Sequence, residues 1–324
     1  MKDIVHKPLA LSILMVLKTI KSMHDIKANF DIILDTIKPL LSHCLNVDGN
    51  LPKRGAKPLM PDIEVVALSM TAEFLGIDSE NNLFVRLHES YLDDFPNLPE
   101  RSRFNRRRRN LAVLFQETQM VLADRLLEGE DTFILDAKPL ETVKFARAPR
   151  TSVCRGHGGK LPAFGKCISK KMTYFGFKFF GTVGLSGVFR SYDLAPANVH
   201  DVHYLNDIRC LYANCQVIAD KGFLSKPMQT ELFEENRVVL STPMRTNQKG
   251  FKPFPKAFEK VRKRVETCFS QLDEQFNLWR NRAKTFMGLW TRVCSKVAAM
   301  TVIQFLNKFV LSKEMGHIKH SIVN

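Results

Sequence analysis

No two of the seven cysteines (Cys44, Cys154, Cys167, Cys210, Cys215, Cys268 and Cys294) form a Cys-x-x-Cys pair. An odd count with no framework argues against a disulfide scaffold and for reduced thiols in the cytosol. Cys154-x-x-His157 with Cys167 hints at zinc, but no fourth ligand follows at standard spacing. Long apolar runs are also missing. Residues 8–17 follow Lys2 and Lys7 like a signal core, yet they are too short to span a bilayer. Lys18 and Lys21 then arrive without a small-residue cleavage site, so neither export nor a membrane partner is expected. Acidic residues are few: 33 Asp and Glu face 48 Lys and Arg, a net charge of +15. A chain this basic is suited to a polyanion, and a nucleic-acid backbone is the usual one.

The 324 residues, 45% hydrophobic and 25% charged, have globular values and suffice for one or two domains. Residues 1–24 read as an apolar, basic arm. Apolar positions at helical spacing follow at Phe30, Ile33, Leu34, Ile37, Leu40 and Leu41, with Pro39 ending or kinking that helix. Residues 46–61 read as a loop. A helix over 63–75 has Asp62 as N-cap and Gly76 as its stop. A short helix near 81–92 comes next, then one long helix over 102–128. That helix opens on Arg103, Arg106, Arg107, Arg108 and Arg109 and continues with Leu111, Leu114, Phe115, Leu122 and Leu126 on one face. Residues 25–130 are thus expected to form an all-α DNA-binding region, with those five arginines on phosphate; a plain solvated face is the alternative.

The chain then changes character. Thr132-Phe133-Ile134-Leu135-Asp136-Ala137-Lys138-Pro139 is an apolar strand with a carboxylate inside it. Such a carboxylate is costly unless paired or metal-bound, although Asp136 could simply end the strand and cap a turn. Cys215 to Phe223 repeats the design, with Asp220 at a strand end and Lys221-Gly222 forming a turn. Val261 to Phe269 puts Glu266 on a helical segment spanning about 256–282. Two strand-borne Asp and a helix-borne Glu can converge on one hard cation, and carboxylate oxygen suits Mg²⁺ or Mn²⁺.

Between these carboxylates, residues 174–184 and 187–195 read as strands joined by a hairpin at Leu185-Ser186-Gly187. A helix over 201–212, a strand at 215–219, a helix over 225–235 and a strand at 237–242 follow. A last apolar helix covers about 289–311. Residues 144–171 carry no acidic residue and four glycines, and read as a basic loop beside Asp136. The order predicts three antiparallel strands, then two more joined by right-handed helical crossovers and roughly parallel to the first.

Several stretches together resemble bacterial insertion-sequence transposases with an Asp-Asp-Glu triad, most nearly the insertion sequence 982 family. They are Ser102 to Arg107, Leu135-Asp136, Tyr174 to Lys178, Leu194 to Asp201, Ala219 to Phe223, and Arg262 to Thr267. The resemblance implies an α/β fold: a ribonuclease H-like mixed five-stranded sheet flanked by helices, preceded by an all-α region. The expected divisions are an arm at 1–24, a helical DNA-binding region at 25–130, a catalytic domain at 131–312 and a tail at 313–324. It further implies Asp136, Asp220 and Glu266 as catalytic and metal-binding residues, holding two Mg²⁺ or Mn²⁺ ions. Water would free a 3′-OH at the element's end, and that hydroxyl would attack target DNA. The lack of a persuasive Ser/His/Asp or Cys/His arrangement agrees, since no covalent protein intermediate is needed.

The implied partners are double-stranded DNA, as terminal inverted repeats and target, and at least a second copy of the chain; the implied compartment is the bacterial cytoplasm. Lys138, Arg150, Lys170, Lys171, Lys178, Lys221, Arg262, Lys263 and Arg264 are further candidate phosphate contacts. Arg262, one turn before Glu266, either clamps phosphate or forms a salt bridge to Glu266. Asn198, His200 and Asp201 rank lower; Asp201 could be an N-cap and His200 structural. The chain departs from related transposases at Glu259, where Tyr is usual, at Asp273, where Lys is usual, and at Phe180, where His is usual. A nuclease without strand transfer, or a non-catalytic DNA-binding derivative, remains as an alternative.

Overall fold

Thr132 to Leu135 are apolar or β-branched and are followed by more alternating burial, so the chain extends into a long strand, β1 (Thr132–Val143). The computed structural model describes residues 25–156, 159–167, 171–248, 250–280 and 282–318. The arm at 1–24, His157, Lys170 and the end of the tail lie outside the described residues. Strand β1 does not stop near Ala137 as the sequence suggested. It runs through Pro139, which pairs with Lys178. Its parallel ladder with β5 (Gln216–Ala219) ends at Leu135 paired with Ala219. Beyond that point one edge of β1 has no β5 partner, and a proline is tolerated on such an edge.

The sheet continues with β2 (Ala163–Cys167), β3 (Met172–Gly184), β4 (Phe189–Pro196) and β6 (Val239–Ser241). Its path is β2-β3-β1-β5-β6, with β4 also on β3. Strands β2 and β4 occupy successive stretches of β3, residues 172–176 and 177–183. The five expected strands are therefore present in a ribonuclease H-like mixed sheet, and β2 is a sixth. It arises inside the stretch read from sequence as a basic loop. That stretch also holds a 3₁₀ turn at Phe145–Arg150. Gly187 closes the β3–β4 hairpin at φ +86°, where a side chain would be strained. The helices α6 (Leu205–Leu211) and α7 (Lys226–Asn236) connect β4 to β5 and β5 to β6, and α8 (Lys256–Glu274) follows β6. Helix α8 ends well before residue 282.

Before the sheet come α1 (Ile26–Ile37), α2 (Asp62–Phe74), α3 (Glu80–Ser90), α4 (Arg101–Arg109) and α5 (Ala112–Leu126). Asp25 caps α1 by accepting from the Ala28 amide at 3.0 Å. Asp62 is not the N-cap of α2; Pro61 holds that place, and the buried Asp62 side chain accepts from Leu51 N–H and pairs with Arg107. The single helix expected over 102–128 is two. Amides of Asn110 and Leu111 close back onto Arg107 and Arg108 with tight three-residue bonds, and the chain restarts at Ala112.

The chain packs as two units. One gathers residues up to Ala123 with Leu272–Leu278 and the chain from Trp290 onward; the other holds Asp124–Gln271 with Trp279–Leu289. Most of the final helix, α9 (Phe286–Phe309), thus packs with the N-terminal helices. Among the described residues α9 alone is long and apolar enough to cross a membrane, and 72% of that window is buried inside the protein.

Candidate active site

Parallel pairing of Leu135 with Ala219 makes Asp136 and Asp220 the next residues along adjacent strands. The sheet therefore brings together two carboxylates that are remote in sequence. Along β1 the side chains alternate, so Asp136 and Lys138 share a face. That face carries α8. Phe269 of α8 stacks edge-on against Phe179 at 5.7 Å and lies 6.3 Å from Phe189. Asp136 pairs across β3 with Gly181, where an added Cβ would sit 2.8 Å from Phe189 and 2.9 Å from Phe269. The missing side chain lets α8 lie close to the sheet, and Cys268 donates to the Gly187 carbonyl at 3.3 Å. With the helix seated there, the charge of the exposed Glu266 acts on Asp136.

The electrostatics register the convergence. The Asp136 carboxyl is raised to about 7, chiefly by burial, with the charges of Asp220 and Glu266 acting the same way. The Ala137 amide, donating to Asp136 Oδ1 at 2.8 Å, and the Arg262 guanidinium oppose the rise without cancelling it. Arg262 pairs with Asp220, Nη2 to Oδ1 at 3.2 Å, rather than with Glu266. Its buried Nε has no partner among the described residues. Asp136 is half-buried, Asp220 is 40% exposed at its side chain and Glu266 is exposed, so the cluster is open to solvent on one side. The three carboxylates offer hard oxygen donors, the chemistry that fits a divalent cation such as Mg²⁺ or Mn²⁺.

The other sequence candidates divide by environment. Lys221, beside Asp220, and Lys263, beside Arg262, are exposed, as are Arg150 and Lys171. Lys138 is buried, its ammonium 5.9 Å from the Phe269 ring centre, and does not face solvent. Lys178 pairs with Asp201 at 2.6 Å and donates to the Val199 carbonyl at 2.8 Å. Arg264 donates to the Ser186 carbonyl and covers Gly187, bracing the hairpin. In the helical unit Arg103 and Arg106 are exposed, but Arg107 is held by Asp62 and the Met60 carbonyl. Arg108 is buried between Glu73 at 2.8 Å and Glu80 at 3.0 Å, and Arg109 is half-buried. The arginine run is therefore not one solvated basic face; its ion-paired members are unavailable to phosphate while those pairs stand.

Asp201 does not cap the turn at Asp201–Tyr204; His200 Nδ1 does, accepting from Val202 N–H. Asp201 instead pairs with Lys178 and lies against the turn after Asp220: a Cβ on Gly222 would come within 2.9 Å of its Oδ2. Phe180 stacks on Tyr204 at 4.6 Å on the sheet face opposite Asp136, so an apolar residue there leaves the carboxylate face unchanged.

A family model described as a transposase DDE domain matches residues 127–302 of this chain. No curated protein matches it.

Proposed function

The chain belongs to the transposase DDE domain family, and on that premise we propose that it cuts DNA at the ends of a bacterial insertion sequence and transfers the freed 3′ end into target DNA. The observation that supports this reading is that Asp136 and Asp220 follow the last paired residues of adjacent parallel strands, and that the charges of both Asp220 and Glu266 act on Asp136, whose carboxyl is raised to about 7. Family membership brings DNA as substrate and a general use of divalent ions.

Asp136, Asp220 and Glu266 are the residues that would hold two such ions. Bound there, the ions would supply an activated attacking oxygen and neutralise charge on the phosphoryl group. The protein's own part is positional. Arg262 holds Asp220 through one nitrogen. Lys221 and Lys263 flank the carboxylates and suit the backbone on either side of the scissile bond. Exposed Arg150 and Lys171 extend that surface, and Arg103 and Arg106 offer a second, non-catalytic contact. Bringing two element ends together would require at least a dimer.

The test uses a labelled duplex bearing the element's own terminus, with Mg²⁺ or Mn²⁺, and compares wild type with Asp136→Asn. Joined product in wild type alone is expected. Cutting without joining would favour a nuclease. Binding without either, in both metals, would sink the catalytic reading.

A further inference from the structure

A second group of unlike donors lies in the helical unit, outside the carboxylate cluster. His43 and Cys44 sit on the turn after α1, and Glu117 on the middle of α5. One ligand atom from each, imidazole nitrogen, thiol sulfur and carboxylate oxygen, lies within 4.8 Å of the other two. His43 Nε2 is 3.1 Å from Glu117 Oε1. Ligand atoms bound at about 2.0–2.3 Å around one tetrahedral ion are separated by roughly 3.3–3.7 Å. Small side-chain rotations would therefore close the three donors on a single centre.

Both supporting segments are held independently of any ion. The turn is anchored by buried Leu40 and Leu41, and the Cys44 amide donates to the Leu41 carbonyl at 3.0 Å. Glu117 is carried by a helix fixed by buried Leu114, Phe115 and Thr118. Such a frame lowers the ordering cost of binding. The donor set also fixes the class of ion. A thiolate and a carboxylate balance two positive charges, and a neutral imidazole completes three ligands with one position open. Sulfur and imidazole nitrogen favour Zn²⁺ over Mg²⁺.

The geometry points to a Zn²⁺ site formed by His43, Cys44 and Glu117, separate in place and in ion preference from Asp136, Asp220 and Glu266. A bound ion would tie the turn after α1 to α5. It would stabilise the helical unit by linkage, since unfolding separates the ligands.

Co²⁺ titration of the full-length protein in excess Mg²⁺ tests the site. The expected result is one equivalent giving a thiolate-to-cobalt charge-transfer band, abolished by added Zn²⁺. Cys44→Ser removes the band, and His43→Ala and Glu117→Gln each weaken Zn²⁺ affinity by more than about tenfold. Zn²⁺ should raise the melting temperature of wild type and not of Cys44→Ser. Asp136→Asn keeps the band, so failure of the catalytic reading would leave this one standing. No band in wild type, or a band that survives Cys44→Ser, overturns the proposal; the second result would assign the metal to another cysteine.

Discussion

At Asp136 burial and the neighbouring carboxylate charges act in the same direction. Its folded pKa, about 7, is above the ordinary value of 3.8, so the folded protein holds a proton that the unfolded chain releases. A group of this kind favours the folded state below its unfolded pKa, and that contribution is lost as pH rises through the folded one. In metal-free protein the stability carried by Asp136 should therefore fall between about pH 4 and pH 7. Asn cannot ionise. Urea unfolding in chelator across that range should show the falling limb in wild type and a flatter profile in Asp136→Asn. Added Mg²⁺ should lift the wild type at the alkaline end and leave the variant little changed. Identical profiles for the two proteins would mean that Asp136 does not sit in the environment described.

At the scale of elements, the position of Glu266 depends on how α8 meets the sheet. Phe269 fills the space over Gly181 between Phe179 and Phe189. Phe269→Ala should cost about 3–5 kcal/mol in urea unfolding, the range for emptying a buried aromatic site. Phe269→Leu keeps more of the volume and should cost less. If cleavage depends on the helix being seated, the Ala variant should also lose activity under conditions where it remains folded. Unchanged stability in Phe269→Ala would contradict the packing.

The helical unit supplies a second contrast, within a single arginine run. Glu73 is fully buried; burial works against its carboxylate, but Lys296, Arg108 and Arg292 outweigh that and hold its pKa below the usual range. Removing one partner of such a buried network leaves an uncompensated charge. Arg108→Ala should therefore destabilise the protein by about 3–5 kcal/mol. Arg103→Ala with Arg106→Ala should leave stability nearly unchanged, because both side chains are exposed.

For the whole molecule, the number of basic side chains that meet phosphate would set how the proposed DNA binding responds to salt. Removing one side chain that neutralises a phosphate should lower the slope of log affinity against log salt by about 0.9. The Arg103/Arg106 double variant should thus bind all DNA sequences more weakly, with a slope shallower by about 2 if both side chains touch phosphate. A salt titration by fluorescence anisotropy separates this from Arg108→Ala, whose weaker binding would follow from unfolding. An unchanged slope in the double variant would remove Arg103 and Arg106 from the DNA surface.

Local pattern determined much of this protein. Apolar β-branched runs ending in Asp136 and Asp220, the turn at Leu185-Ser186-Gly187, and the helical period around Glu266 were legible because strand, turn and helix preferences act over a few residues. The resemblance implied a ribonuclease H-like sheet, and the parallel β1–β5 ladder makes the two aspartates neighbours. Tertiary structure decided what a basic side chain is for. Arg103 and Arg108 are alike in sequence, yet one is exposed and the other buried between two glutamates. Arg262 pairs with Asp220 across elements and not with Glu266 on its own helix. The run of Pro139 through β1 was permitted by an edge that β5 leaves open. Each of these outcomes rests on which partner a residue meets across the fold, and a pattern confined to neighbouring positions carries no record of that meeting.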